Sequence, residues 1–434
     1  MLCGKRERTP DQERKQRDEK AESMRQRQLA VLGVMVWTVA AACRPSPGPV
    51  VPLPVVRPGL EVLVTDSVHL VRGLRVGLVS NQAGVDRRGV SGVDVLRAGG
   101  VNLVALFSAE HGFRSAAAPG EAIPTTVDSA TGLPIYSLYG ATPLPTDAMF
   151  EGLDLILIDL QDVGVRYFSW LGTTVTVMQA AAKAHKRVLI LDRPNPIGEV
   201  VQGNVLEVPY ASMVGRLAVP IRHGMTLGEL ARLANKDLHI GTDLGVVPVA
   251  GWRRAWTFDR TGLPFVPPSP NLRDLEAFYH YAGTCLFEGT ALSVGRGSDL
   301  PFHQVGAPWL DTTAVLRRLR SAGLRGVAFE GASFVPRAPG DGKYPDTPLL
   351  GIRLRLTDPT RYDPVLTGIT LLAAVRAVHP DRIGLVPRQF DRLAGGPGLR
   401  EALERGEDPA GIEASWRGAL AAFRARREPF LLYP

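Results

Sequence analysis

The chain has 434 residues, 45% hydrophobic and 21% charged, a composition that excludes a disordered protein and predicts two domains rather than one. The formal net charge is +7, but residues 1–43 alone carry nine Lys/Arg against six Asp/Glu. No Lys/Arg block follows, so nucleic acid is not an expected partner. Three cysteines, Cys3, Cys43 and Cys285, exclude a disulfide framework in the body and a metal site built on cysteine.

Residues 1–43 read as an address. Met24-Arg-Gln-Arg-Gln28 precedes the apolar run Leu29–Ala42, which closes on Ala40-Ala41-Ala42-Cys43. A basic start, an apolar stretch of this length and small residues at its close describe a signal peptide. The run is too short for a comfortable transmembrane helix. Met24 reads as the true start, with the residues before it an extension. The cysteine after the small residues is similar to a lipoprotein cleavage site, although Ala40 stands where leucine is usual. Cys43 is therefore the candidate lipidation site, and the protein is expected to be exported to the periplasm or cell envelope, held by a lipid anchor at Cys43 or, as the alternatives, with an uncleaved anchor or a soluble signal. Residues 44–59 carry six prolines, which suits a semi-rigid linker.

Residues 60–235 form the first expected domain. Arg75–Asn81, Leu103–Glu110, Asp154–Asp162 and Arg187–Arg193 are near-continuous apolar runs ending in polar residues, the pattern of buried parallel strands. Ser91–Ala98 and Thr173–Ala184 read as helices between them, giving an α/β, Rossmann-like sheet. Thr226 with Glu229 three residues on predicts a capped helix start. Residues 236–434 form a smaller α+β domain. Leu244–Trp252, Arg325–Phe334 and Leu349–Thr357 read as strands. Glu276–Tyr281, Asp363–Val378 and Ile412–Arg426 read as helices, and Pro264–Asn271 as a proline-rich loop.

Open α/β sheets bind ligands beyond the carboxyl ends of their strands. That rule gathers Asn81, Glu110, His111, Asp159, Asp162, Asp192 and Arg193 on one rim. The turn after the first strand lacks G-x-G-x-x-G and no P-loop occurs elsewhere, so neither NAD nor ATP is an expected cofactor. The histidines show no H-x-x-x-H or H-E-x-x-H spacing, which argues against zinc. G-x-S-x-G is absent as well, against an ordinary α/β-hydrolase. Glu110, at a strand end beside His111 and flexible Gly112, is placed for general acid work, or for a structural role that caps a helix or pairs with Arg114. Asp162 with Arg166 is either a site pair or a loop-ordering pair. Arg193 and Asn195 lie in a rigid proline loop suited to a carboxylate or sugar hydroxyls. Glu288 sits in a polar, glycine-rich turn, and Cys285 beside it reads as a small core residue.

Several strings taken together resemble one family. They are GLVSNQAGVD (77–86), FSAEHGFR (107–114), AAPGE (117–121), PIYSLYG (134–140), DLQDVGVRYFSW (159–170), DRPNPIG (192–198), PIRHGMTLGELA (220–231), PPSPNL (267–272) and FEGTALSVGRGSDLPFHQVGAPW (287–309). Their order is similar to that of the exo-β-N-acetylmuramidases, once grouped as DUF1343, across residues 60–434. The resemblance implies a glycosidase that removes a terminal, non-reducing N-acetylmuramic acid from peptidoglycan fragments. It also implies a Rossmann-like domain without a nucleotide and a C-terminal domain closing the cleft. Glu110 matches the glutamate of the family's AEHG motif and Glu288 that of FEGT; Asp162 is the other candidate for the second carboxylate that glycoside hydrolysis needs. His111, Arg166, Tyr167, Asn195, Asn271 and Arg296 fall inside matching strings as pocket candidates, alongside Asn81 and Arg193 on the rim. A lactyl carboxylate needs a cation, which Arg166, Arg193 or Arg296 would supply. The chain departs from the family at Pro345–Gly351, where a Cys-Gly pair is common. Two other functions fit the same residues: a non-catalytic envelope protein that binds muropeptides, and a hydrolase of another acidic sugar.

Overall fold

The computed structural model describes residues 55–110, 112–113, 125–138 and 145–434, plus Arg14, Lys15, Arg17, Glu19, Lys20 and Met24 in helical conformation. Cys43, the signal-like segment and His111 lie outside the described residues. Met1–Leu53 and Pro54–Pro434 are separate units, and the second holds all the strands of the described residues. No helix among the described residues is long and apolar enough to cross a membrane.

The four apolar runs form strands β1 (Val76–Ser80), β2 (Leu103–Ser108), β5 (Leu155–Asp159) and β6 (Arg187–Leu191), with β3 (Thr126–Val127) and β4 (Pro134–Ser137) between them in sequence. A short antiparallel pair, β7 (Gln202–Val205) and β8 (Pro220–Arg222), precedes β9 (Leu244–Val247). Seven strands make one sheet in the order β3-β4-β2-β1-β5-β6-β9. All its pairings are parallel except β3 with β4. Leaving β3 aside, the order is the doubly wound one, which reverses between β1 and β5. The last strand comes from beyond the expected boundary at 235/236.

Side chains alternate between two apolar layers, as the pleat requires. Leu78, Leu106, Leu157 and Leu189 face one layer with Leu60, Leu63 and Leu96. Val79, Phe107, Ile158 and Ile190 face the other, which runs without a break into Phe278, Phe287, Leu371 and Phe390 of the C-terminal half. Pro54–Pro434 therefore packs around shared layers and not two separate cores. Helices follow their local signals. Ser91 Oγ accepts from Asp94 N ahead of helix Gly92–Ala98, and Thr226 with Glu229 forms the capping box of helix Leu227–Asp237.

The C-terminal half holds a three-stranded antiparallel sheet of β10 (Gln304–Ala307), β11 (Val327–Phe334) and β12 (Leu349–Leu356), with β12 in the centre. Helix Leu275–Thr284 crosses helix Pro364–Val378 where Gly283 meets Gly368. The stretch expected as one helix, Ile412–Arg426, is two: Pro409–Ser415 and Arg417–Arg427. They part at Trp416, whose N–H bonds back three residues to Glu413 O instead of four. Residues 432–434 return to the first sheet. Tyr433 Oη donates to Asp192 Oδ2 (2.6 Å), Leu432 N to Glu229 Oε1 (2.7 Å), and Pro434 O accepts from Arg254 N (2.9 Å).

Candidate active site

The crevice between β1 and β5, where such folds hold nucleotides, is filled by protein. Arg193 donates to both oxygens of buried Asp159 (2.5 and 2.9 Å) and to Val85 O (2.9 Å). The proline-rich loop lies against the same edge: Asn81 Nδ2 donates to Pro268 O (3.1 Å) and Gln82 Nε2 to Pro267 O (2.8 Å). Space of only about 10 Å³ remains beside Arg193 and Gln161. Asn81 and Arg193 thus fasten loops at the rim.

A cavity of about 330 Å³ lies beside the loops that follow β2 and β5, and it is the one lined from both halves; larger hollows of about 510 and 600 Å³ lie beside Ser80–Gln82 and beside Gln179–Lys183. The first-half wall of the shared cavity is Glu110, Tyr167, Phe168, Ser169 and Val214, and Ser269 of the proline loop with Leu272 just after it form an edge. The C-terminal half supplies Tyr281, Cys285, Glu288, Arg296, Phe302, Gly340, Asp341, Gln389, Arg392 and Leu393. Glu110 and Glu288 therefore face one space from opposite halves.

Each carboxylate has its own support. Glu110 leaves β2 two residues after its end, and Ser169 Oγ, at the start of helix Trp170–Lys183, donates to its Oε2 (2.7 Å). Glu288 lies in a 3₁₀ turn, Cys285–Gly289, and its Oε1 accepts from Arg296 Nε at 2.5 Å. Gly295 and Gly297 flank Arg296 at φ of 76° and 74°, a conformation glycine adopts without strain, so the Gly-Arg-Gly turn aims the guanidinium inward. The Arg296 guanidinium lies over the Phe302 ring, 5.0 Å from its centroid. Burial alone would lower the pKa of Arg296, but the charge and hydrogen bond of Glu288 outweigh it and hold it above its ordinary value. Lys343 Nζ donates to the carbonyls of Phe287 (3.1 Å), Glu288 (3.1 Å) and Leu292 (2.9 Å), clamping this turn from behind. Cys285 is buried, its Sγ 3.8 Å from Glu288 Oε2, and burial pushes the thiol well above its ordinary pKa, unlike a nucleophile.

The other sequence candidates take structural places. Arg166 is fully buried and donates to four carbonyls: Asn204 (2.7 Å) and Val219 (3.0 Å) of the first half, Leu393 (3.1 Å) and Ala394 (2.8 Å) of the second. Tyr167 lines the cavity with its ring while its hydroxyl donates to Ala282 O (2.7 Å). Asn195 bridges Met225 O (3.0 Å) and Ile197 N (3.1 Å), outside the cavity lining. Asn271 is buried between the lining residues Ser269 and Leu272 without joining them. Asp162 also lies outside the lining. Its Oδ2 accepts from Gly164 N (2.7 Å) and stands 3.6 Å from His223 Nε2. Burial pushes the Asp162 carboxyl up to about 7. Burial, then the charges of Arg427, Arg166 and Arg222, push His223 down to about 3.

Sequence reasoning missed Ser169, Lys343 and Arg392. Ser169 lies inside one of the family strings and is visible as the residue before a helix. Lys343 sits in the stretch just before the point where this chain departs from its family, which offers no pattern to read. Arg392 lies on helix Pro387–Ala394, and none of the hydrogen bonds or ion pairs among the described residues engages it, which leaves it an uncommitted cation on the cavity wall.

A doubly wound sheet carrying a cavity that Glu110 and Glu288 line from opposite halves has the two-carboxylate arrangement of a glycosidase. Comparison with known proteins agrees. Two family models, described as the N-terminal and C-terminal parts of exo-β-N-acetylmuramidase NamZ, match residues 76–276 and 279–433. The peptidoglycan β-N-acetylmuramidase NamZ of Bacillus subtilis (strain 168) is 38% identical over 407 residues, 92% of this chain and 98% of that protein. Two solved DUF1343 family proteins from Bacteroides fragilis NCTC 9343 superpose with TM-scores of 0.80 and 0.71 at 31% and 32% identity. Each covers 87% of this chain and 99% of its own. The chain belongs to the exo-β-N-acetylmuramidase NamZ family.

Proposed function

We propose that this protein hydrolyses the β-glycosidic bond of a terminal, non-reducing N-acetylmuramic acid in peptidoglycan fragments. The observation that carries the reading is the pairing of Glu110 and Glu288 across one cavity. About 330 Å³ lies at the small end of ligand sites, roughly 300–1,000 Å³, with room for a terminal sugar. Glu110, held only by the neutral Ser169 hydroxyl among the described residues, is the proton donor to the leaving oxygen. Glu288, fixed by Arg296, offers the second carboxylate, placed to stabilise positive charge at the anomeric carbon or to take a proton from water.

Arg166 and Arg193 are committed to carbonyls and to Asp159, and Arg296 to Glu288. Arg392 is therefore the cation we assign to the lactyl carboxylate. The signal-like segment before Cys43 supports an envelope location; a Cys43→Ser chain that still partitions into membranes would count against the lipid anchor.

A chromogenic N-acetylmuramic acid β-glycoside tests the activity. Wild type should release the chromophore, and Glu110→Gln should lower kcat by about 10²–10⁴. Full activity in Glu110→Gln would remove that residue from catalysis, and no release by wild type would overturn the reading itself.

A further inference from the structure

Away from the cavity, four side chains converge at the start of helix Leu275–Thr284. Glu276 and His280 stand one helical turn apart, with His280 Nε2 3.1 Å from Glu276 Oε1. His303, from the loop leading into β10, holds its Nε2 3.1 and 3.2 Å from the carboxylate oxygens of Asp274, the N-cap of the same helix. One ligand atom each from Glu276, His280 and His303 all lie within 4.8 Å of one another, a grouping that recurs nowhere else among the described residues. The imidazoles are buried, while both carboxylates are partly exposed, so the cluster opens to solvent on one side.

We propose that Glu276, His280 and His303, with Asp274 completing the shell, form a binding site for a divalent cation, and that zinc is the ion its donors suit. Two imidazoles with carboxylates are borderline donors of the kind zinc takes in a tetrahedral shell. Zinc bonds of roughly 2.0–2.1 Å put tetrahedral neighbours about 3.3 Å apart, close to the nitrogen–oxygen separations already present. An outer shell exists too. His280 Nδ1 is 2.8 Å from Tyr362 Oη, and Leu356 N donates to Glu276 Oε1 at 2.6 Å. Tyr362 as acceptor would fix the tautomer that leaves Nε2 free for a metal.

The histidine spacing that speaks against zinc is not the relevant one. Here a carboxylate replaces the first histidine of an i, i+4 pair, and the second histidine arrives from another segment. The ion would sit behind the catalytic wall, since His303 follows Phe302, the ring beneath Arg296. It would link helix Leu275–Thr284 to that wall without touching substrate, a structural role.

The test uses the full chain freed of metals by a chelator. Calorimetric titration with zinc chloride should show one site, with a rise in Tm, and cobalt substitution should give the visible absorption of a tetrahedral ion. His280→Gln and His303→Gln should each weaken zinc binding by at least about tenfold and abolish the rise in Tm. Asp274→Asn and Glu276→Gln keep the helix cap and the acceptor for Leu356 N; they are the variants to use if the buried substitutions fail to fold, with the same loss expected. No zinc uptake by wild type would overturn the site in favour of a self-satisfied hydrogen-bond network. So would uptake and Tm shifts that persist unchanged in the folded variants.

Discussion

At the residue scale, the cavity assigns different work to charges that look alike in the sequence. Arg392→Ala should raise KM for an N-acetylmuramic acid glycoside by about one to two orders of magnitude, the loss of a charge-assisted hydrogen bond worth roughly 1.5–3 kcal/mol. It should leave an N-acetylglucosamine glycoside, which has no lactyl carboxylate, nearly unaffected; equal effects on both substrates would refute the assignment. Asp162 makes a separate prediction through stability. Its carboxyl is raised from 3.8 to about 7, so the native state binds the extra proton, and that contribution is full at low pH and lost as pH rises through 7. His223, lowered from 6.5 to about 3, contributes above 6.5 and loses it as pH falls toward 3. Between about pH 4 and 6.5 the two slopes oppose each other. Asp162→Asn removes the first, so denaturant midpoints should climb more steeply with pH in that window than in wild type. A profile parallel to wild type would show that Asp162 is ionised in the native state. Glu110 and Glu288 were legible because each sits at a polar stop after an apolar run and inside a family string. Arg166 and Asn195 sit in such strings too, but their side chains hold loops. A string records a position, and only the packing around it shows where the side chain points.

At the scale of elements, the long buried strands were legible because both faces are covered and the runs are uniformly apolar. β4, β7 and β10 were not, since four residues with few apolar side chains carry no period. The contacts that position Glu288 were equally hidden, because they run from a side chain to backbone. Lys343→Met removes the side chain that reaches the carbonyls of Phe287, Glu288 and Leu292; Phe287 O keeps Thr290 Oγ1, while the other two lose their side-chain donor in a half-buried place. It should cost about 1–3 kcal/mol of stability and lower kcat more than it raises KM, a split that steady-state kinetics would report. The helix crossing at Gly283 and Gly368 is tighter still. A Cβ on Gly368 would lie 2.7 Å from Gly283 Cα and O, so Gly368→Ala should destabilise by on the order of 1–3 kcal/mol, measured by thermal or denaturant unfolding. An unchanged midpoint would mean that the two helices shift apart freely.

At the scale of the molecule, the expected two domains share one apolar layer and one buried arginine. Arg166 satisfies carbonyls of both halves, and each half supplies a wall of the cavity. Intrinsic fluorescence and far-ultraviolet circular dichroism of the body should therefore report one coincident unfolding transition. A fragment of residues 54–278 should lack a cooperative transition. Its sheet would expose Phe107, Ile158 and Ile190 on the layer that the C-terminal half covers. Two separate transitions, or a stably folded fragment, would show that the halves are independent.

The return of residues 432–434 to the first sheet sets a clock on how this protein is made. Asp192 lies at the tip of β6, and its buried carboxylate waits 241 positions for the Tyr433 hydroxyl. Glu229 waits 203 for Leu432 N. A ribosome adding roughly 5–20 residues per second delivers those partners on the order of ten seconds or more after the strands they complete have emerged. Through that interval the two carboxylates have only their nearer partners, Thr226 and Gly228 for Asp192 and Thr226 and Arg254 for Glu229, so this edge of the sheet is completed late in synthesis.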